Sequence, residues 1–582
     1  MTSVEPIDTA GWRRAVGASG LLAAFNEALV IDSADVLVAQ RLGGMAKETD
    51  ERVMLAVALV VRALRAGSVC LELRSVEAQV DVADLPWPAI DGWLEAVWAS
   101  PLLEAPHVLR RQEHLLYLDR YWREEVQVAA DLRAMVSRGA VDTVDSEADI
   151  SRLFPTGYEE QRGAAKIAVS QRVTVLTGGP GTGKTTTVAR LLALFAGQAG
   201  PASRLRIALA APTGKAAARL QDAVQLEIDE LELIDQRRLS GLQATTLHRL
   251  LGSRPDSSSR FRHHRGNRLP HDVIVVDETS MVSLTMMARL LEAVRPQSRL
   301  LLVGDPDQLA SVDAGAVLAD LVDGLGADKG SPVVALQTSH RFGESIGALA
   351  SAIRAGEAEA ALEVLRSGGD HIEWIDDEDP STSLRKVLLP QALALRRAAV
   401  FGDARAALAT LDEQRLLCAH RHGPHGVQHW NRQVERWLTE STGEPIWSDW
   451  YAGRPVLVTA NDYGLGLYNG DTGVAVVGED GLRAVIASAG EPRAFATSRL
   501  PDLETMHAMT IHKSQGSQAT EVTVLMPPVD SRLLTRELLY TAVTRAKEKV
   551  RVVGSADEVR AAIERRAVRA TGLALRLREA TD

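Results

Sequence analysis

Residues 172–187 read RVTVLTGGPGTGKTTT: a β-branched apolar run, a glycine-rich loop, and the start of a helical pattern that continues as VARLLALFA. The loop fits G-x-x-x-x-G-K-[ST] between a strand and a helix, the context this motif needs in order to hold phosphate. Gly178, Gly179, Gly181 and Gly183 let backbone N–H groups close around an anion, with Pro180 and Thr182 as the other members of the loop, and the helix N-terminus adds its partial positive charge. Lys184 is expected to reach the β- and γ-phosphates of ATP, Thr185 to ligate Mg2+, and Thr186 to complete the nucleotide-binding loop. The loop alone implies ATP binding and says nothing of purpose.

Outward from the loop, apolar runs alternate with helical patterns: RIALAAP then KAAARLQDAV, then DVIVVDE and RLLLVGD. This predicts a parallel α/β sheet with crossover helices. A second α/β region follows, with RLLCAHR, TEVTVLM and KVRVVGS as candidate strands. Inside it, residues 454–487 change to short strands with Asn-Gly and Asp-Gly turns, which predicts a small antiparallel, barrel-like insertion. Before the loop, LLAAFNEALVIDSADVLVAQRL and LLYLDRYWREEVQVAADLRAMV carry helical periodicity, and a turn-rich stretch ending at Pro155 and Gly157 marks a boundary.

At 582 residues the chain is too long for one hydrophobic core. With 46% hydrophobic and 24% charged residues, it reads as globular. Its start lacks a basic segment followed by an apolar core, and no stretch of about 18 apolar residues follows, so neither secretion nor membrane spanning is supported. Cys70 and Cys418 are the only cysteines and give neither a disulfide framework nor zinc-ligand spacing; a reducing cytoplasm fits. The net charge of −11 ordinarily counts against a nucleic-acid partner, but a DNA channel needs only a local basic lining. From Arg532 to Asp582 there are 12 Lys+Arg against 7 Asp+Glu, so charge is unevenly spread.

About ninety residues after the loop, DVIVVDETS places Asp277 and Glu278 at the end of an apolar strand. Paired with the loop, Asp277 is expected to hold Mg2+ and Glu278 to polarise the attacking water; alone, such a pair also serves as a helix cap. RLLLVGDPDQLASV ends a strand with Gly304-Asp305-Pro306-Asp307-Gln308, in which the uncharged Gln308 is able to bridge a γ-phosphate and another domain. Arg341 in QTSHRF and Arg545 in YTAVTRAKEK stand out from ordinary surface arginines by their company.

Taken in order, these segments resemble the motifs of superfamily 1 helicases. Gln161 resembles the adenine-reading glutamine before motif I; GGPGTGKT is similar to motif I, APTGKAAARL to Ia, ATTLHRLLG to Ib, VVDETSM to II, GDPDQL to III, QTSHRF to IV, TIHKSQGS to V and YTAVTRAKEK to VI. They span residues 155–550, and as a set they are highly specific. The forms APTGKAA, TLHRLLG and DETSMV, the Asn-Gly-Asp insertion and the N-terminal LLYLDRYWREE are closest to the RecD family, within the 5′→3′ branch.

The resemblance implies an α/β fold of two RecA-like P-loop domains with parallel sheets, a helical N-terminal domain, and a small SH3-like β-barrel insertion. The boundaries it implies are 1–140 for the N-terminal domain, which is expected to bind partner subunits, 141–345 for the first RecA-like domain and 346–582 for the second, with the insertion at about 452–500.

ATP and Mg2+ are the implied cofactors, with Arg341 and Arg545 reaching from the second domain toward the γ-phosphoryl group and Gln308 sensing it. Single-stranded DNA is expected to cross the tops of both domains, touched by Pro212, Thr213, Lys215, Thr245, Thr246 and His248 from the first and by Thr510, His512 and Lys513 from the second. Short hydroxyl donors suit phosphate contact without base reading, although threonines in these positions also cap helices. RecB-like and RecC-like subunits in a heterotrimer are the implied partners, together with duplex-end DNA, in a helicase–nuclease that acts in double-strand break repair and recombination.

Two other readings stay open at this point: a stand-alone RecD-like helicase, and a nucleotide-gated scaffold that regulates a partner nuclease. No cluster of carboxylates with a lysine stands apart from the ATPase set, so exonuclease activity is expected to belong to a partner. RFRHHRGNR (260–268) reads as a solvated loop, and the helical spacing of Trp430 and Trp437 as core packing rather than base stacking.

Overall fold

The computed structural model describes residues 11–579 apart from 81, 138–146, 200–203, 255–256, 327–329, 339–343, 378, 463 and 488–490. The strand Val173–Gly178 lies inside a six-stranded, all-parallel sheet. The strand order is Val333–Leu336, Val173–Gly178, Arg299–Gly304, Val273–Val276, Ile207–Ala211 and Ala244–Thr246. Helices cover both faces, which is why VTVLTG and VIVV are buried at every position and read as continuous rather than alternating apolar runs. This order sets the ends of Val173–Gly178, Arg299–Gly304 and Val273–Val276 side by side. Three segments scattered in sequence therefore share one edge, the place where open parallel sheets bind ligands.

A second parallel sheet follows, in the order Ile372–Ile375, Ala546–Val553, Ala519–Leu525, Gln414–Cys418 and Ala508–Thr510. Both units are thus open, all-parallel α/β sheets. Between Gln414–Cys418 and Ala508–Thr510 the chain makes a five-stranded antiparallel sheet, in the order Arg493–Ala496, Gly481–Ala487, Thr472–Gly478, Pro455–Val458 and Leu503–Thr505. Trp430 and Trp437 are buried in the second unit's core, as their spacing predicts.

The N-terminal region packs around the helix Glu51–Arg65, whose stretch from Leu55 to Val61 is wholly buried among Phe25, Ile31 and Trp93. The region is mostly helical, as expected, but the helical pattern read for LLYLDRYWREEVQVAADLRAMV does not hold at its start. Leu115–Leu118 forms a strand of a three-stranded antiparallel sheet, and the helix begins only at Asp119. The run LLYL has no polar residue to give it a helical period, and its central Leu116 and Tyr117 are both fully buried.

The end of the chain returns to the first unit. Leu573 and Leu577, on the helix Leu573–Arg578, join the core beneath the first sheet. Glu125, fully buried, accepts hydrogen bonds from Gly572 N and Thr571 Oγ1, each at 2.9 Å, and from Arg576 Nε at 3.1 Å. Ala570 O accepts from Val69 N at 2.8 Å. Residues near 570 thus belong with the first sheet and the N-terminal region, although the sequence groups them with the second α/β region. No described helix is long and apolar enough to cross a membrane.

Candidate functional site

The glycine loop leaves Val173–Gly178 and enters the helix Lys184–Gln198 through Gly181 and Gly183, at φ 81° and 82°. A β-carbon disfavours this left-handed region, so glycine is required by backbone shape at these two positions. Lys184 Nζ donates to the carbonyls of Gly178 at 2.6 Å and Gly179 at 2.8 Å, which folds the side chain over the loop. Gln161 Nε2 lies 3.5 Å from Thr182 O, and Thr186 Oγ1 donates to Glu227 at 2.6 Å.

The next strand ends supply the acids. Asp277 and Glu278 line the same cavity as Lys184 and Thr185. Glu278 adopts φ 50°, a left-handed conformation rare for a residue with a side chain, at the turn that ends its strand. Burial raises Asp277 above the ordinary carboxylate range and the charge of Glu278 raises it further, against the opposing pull of Lys184 and Arg219. The cavity, about 710 Å³, is closed on its other side by Arg545 and Gln518 from the second unit.

Arg545 stands between the helix Arg536–Val543 and the strand Ala546–Val553 and is 3% exposed. Its Nη2 donates to Gln308 Oε1 at 2.8 Å, and Gln308 Nε2 donates to Asp305 Oδ2 at 3.0 Å. Tyr540 Oη donates to the same carboxylate oxygen at 3.1 Å. Beside this chain, Leu309 N donates to Thr541 Oγ1 at 2.8 Å and Leu309 O accepts from Gln515 Nε2 at 2.7 Å. A buried polar network therefore ties the end of Arg299–Gly304 to the second unit. Hydrogen bonds to charged groups contribute roughly 1.5–3 kcal/mol each. Arg341 lies outside the described residues.

The candidate DNA residues gather at the C-terminal ends of strands at or next to a sheet edge. Thr213, Thr246 and Thr510 follow Ile207–Ala211, end Ala244–Thr246 and end Ala508–Thr510, and their hydroxyl oxygens accept from Ala216 N, Arg249 N and Lys513 N at 3.2 Å. Capping uses an oxygen lone pair and leaves the O–H free to donate, so a cap and a phosphate contact are compatible. Thr245 Oγ1 is buried without a hydrogen-bond partner among the described residues. Pro212 and His512 are half-buried, and His248 is exposed with its ring against Phe261.

Neither lysine is presented openly. Burial, with Arg415 nearby, lowers Lys215 to about 8, and Lys513 Nζ is paired with Glu504 at 2.7 Å. Tyr468 of the antiparallel insertion packs against Gly214, where a β-carbon would come within 2.7 Å of it. In RFRHHRGNR, Arg265 pairs with Asp131 at 2.7 Å and Phe261 is buried, which anchors the loop to the N-terminal helix. Arg219, Gln518 and Tyr540 were not singled out by the sequence reading. Arg219 and Tyr540 lie inside motifs and Gln518 directly after one, but only the fold shows that Arg219 and Gln518 line the cavity and that Tyr540 reaches Asp305.

Comparison with known proteins adds family relationships to this geometry. The N-terminal domain of RecBCD enzyme subunit RecD matches residues 27–120, an AAA domain residues 156–377, and a UvrD-like helicase C-terminal domain residues 505–553. The chain is 71% identical to the RecBCD enzyme subunit RecD of Mycolicibacterium smegmatis, over 96% of this chain and 99% of that protein. It is 66% identical to the protein of the same name in Mycobacterium tuberculosis, over 97% and 98%. It is also 32% identical to the ATP-dependent RecD2 DNA helicase of Deinococcus radiodurans, over 82% of this chain and 61% of that one.

Proposed function

The chain belongs to the RecD family, and on that premise we propose that it is the ATP-dependent motor subunit of a RecBCD-type helicase–nuclease, moving 5′→3′ along single-stranded DNA. The observation that carries this reading is the hydrogen bond from Arg545 to Gln308, because it joins the two units across the cavity that holds the phosphate loop. Its partners on this reading are RecB-like and RecC-like subunits, and its compartment is the cytoplasm.

Gln161 reads adenine, while the loop from Gly178 to Thr186 cradles the phosphates. The hydroxyl of Thr185 and the carboxylate of Asp277 are hard oxygen donors in one cavity, a set that fits Mg2+, and a buried acid beside Glu278 is relieved by a cation. When bound, that ion neutralises charge between the β- and γ-phosphates. Glu278 accepts a proton from the attacking water; the bond from the γ-phosphorus to the bridging oxygen breaks, giving ADP and phosphate. Arg545 and Arg341 stabilise the charge that develops on the transferring group, and Gln308 reports its presence.

Opening and closing of the cleft moves the two DNA-contact edges relative to one another, and alternating grip converts this into steps. Thr213, Lys215, Thr245, Thr246 and His248 form one edge with Pro212; Thr510, His512 and Lys513 form the other. The unit boundaries near 140 and 345 and an SH3-like character for the insertion at about 452–500 belong to the same reading, with residues 570–578 docked on the first unit.

Unwinding of 5′-tailed and 3′-tailed duplexes by the full chain assembled with its partners, compared with the same assembly carrying Lys184→Gln, tests the polarity. The reading expects the 5′-tailed substrate to be opened. Preference for the 3′-tailed substrate overturns it.

A further inference from the structure

The helix Gly214–Asp229 forms one wall of the nucleotide cavity, and Ala216, Arg219, Ala223 and Glu227 recur on the lining face at helical spacing. Its far end is tied to the phosphate loop by Thr186 and Glu227. The other cations of the cavity are committed: Lys184 to the loop carbonyls, Arg545 to Gln308 and to Thr541 O. Arg219 is half-buried and makes no hydrogen bond or ion pair among the described residues. A guanidinium carries five donors in a planar fork that matches phosphate, and in this polar cleft it has no protein acceptor.

Arg219 lines the cavity together with Asp277, Glu278 and Arg545, and its charge reaches them. Its charge favours ionised Asp277 and opposes the charge of Arg545, the groups that face the γ-phosphoryl end, and it also opposes the charge of Lys215. Resting on the proposed ATPase reading, we propose that Arg219 is a further catalytic residue, contacting the γ-phosphate from the first unit itself. It forms no covalent bond and transfers no proton; its bidentate donors stabilise charge on the transferring oxygens. The helix that carries it begins at Thr213 and Lys215, so DNA held at that end sets where the guanidinium lies. Arg219 is thus a direct link between DNA binding and hydrolysis.

The test compares ATP turnover by the full chain with and without single-stranded DNA, for the wild type, Arg219→Ala and Arg219→Lys, alongside affinities for ADP and ATPγS. Arg219→Ala is expected to lower DNA-stimulated kcat by about 10²-fold. ATPγS affinity falls while ADP affinity stays, added guanidinium restores part of kcat, Arg219→Lys is intermediate, and the basal rate falls less than the stimulated one. Turnover within twofold of wild type overturns the contact, as does equal loss of ADP and ATPγS affinity without rescue. An equal fall with and without DNA overturns the link. Arg219→Gln, similar in length and polar, reads the same quantities if Arg219→Ala folds poorly. Failure of the underlying ATPase reading is distinct: the wild type itself then lacks turnover, or Lys184→Ala retains it.

Discussion

Tyr540→Phe removes one oxygen atom from the buried network between the two units and leaves the ring in place. The lost bond runs from the phenol to Asp305 Oδ2 at 3.1 Å, and a bond to a charged acceptor contributes roughly 1.5–3 kcal/mol. Asp305 keeps Gln308 Nε2 at 3.0 Å on the same oxygen and Asp307 N at 3.1 Å on the other, so its carboxylate is not orphaned and the lower figure applies. Burial and the charge of Asp305 push the Tyr540 phenol far above its ordinary range, so it remains a donor at every working pH. Because the bond spans the cleft, its loss is felt mainly in cleft closure. About 1.4 kcal/mol is tenfold in an equilibrium. DNA-stimulated kcat is therefore expected to fall by up to about tenfold, with the thermal midpoint of each unit nearly unchanged. Steady-state ATP hydrolysis and a melting curve read both quantities. Full kcat, or a loss explained by unfolding, refutes the assignment of this bond to closure.

Three further outcomes follow from the same geometry. Glu278→Gln should lower kcat by roughly 10²–10⁴ while nucleotide still binds, measured by single-turnover hydrolysis against a nucleotide titration. Lys215 is lowered from 10.5 to about 8, so between those values the unfolded chain binds more protons and stability rises with pH; Lys215→Met should melt higher at pH 7 and lack that rise, followed by thermal melts at stepped pH. Glu125→Ala strips three bonds from the returning chain end and leaves Arg576 unpaired, at a cost of roughly 3–5 kcal/mol; hydrogen exchange should show faster opening of residues 566–578, and unchanged protection there would contradict it.

The parallel sheets were legible because their strands are buried on both faces: runs such as VIVV cannot be mistaken for an exposed edge. The phosphate loop and the acidic pair were legible because backbone shape and charge constrain residue type there. What the linear pattern does not carry is which strand ends become neighbours. The bridge from Arg545 through Gln308 to Asp305 and Tyr540 joins positions more than 200 residues apart, and no local rule links them. The same holds for Arg219, whose side chain is one of two arginines in the cavity, and for the docking of Leu573 and Leu577 on the first core. The threonines were ambiguous in sequence because capping and phosphate contact draw on the same hydroxyl, and the structure shows the caps.

The central claim is that nucleotide hydrolysis in this cleft drives movement on DNA from a 5′ end. Lys184→Gln in the fully assembled complex, with a 5′-tailed duplex as substrate, tests it most directly. The account predicts normal assembly with unwinding abolished. Undiminished unwinding of the 5′-tailed duplex would contradict it.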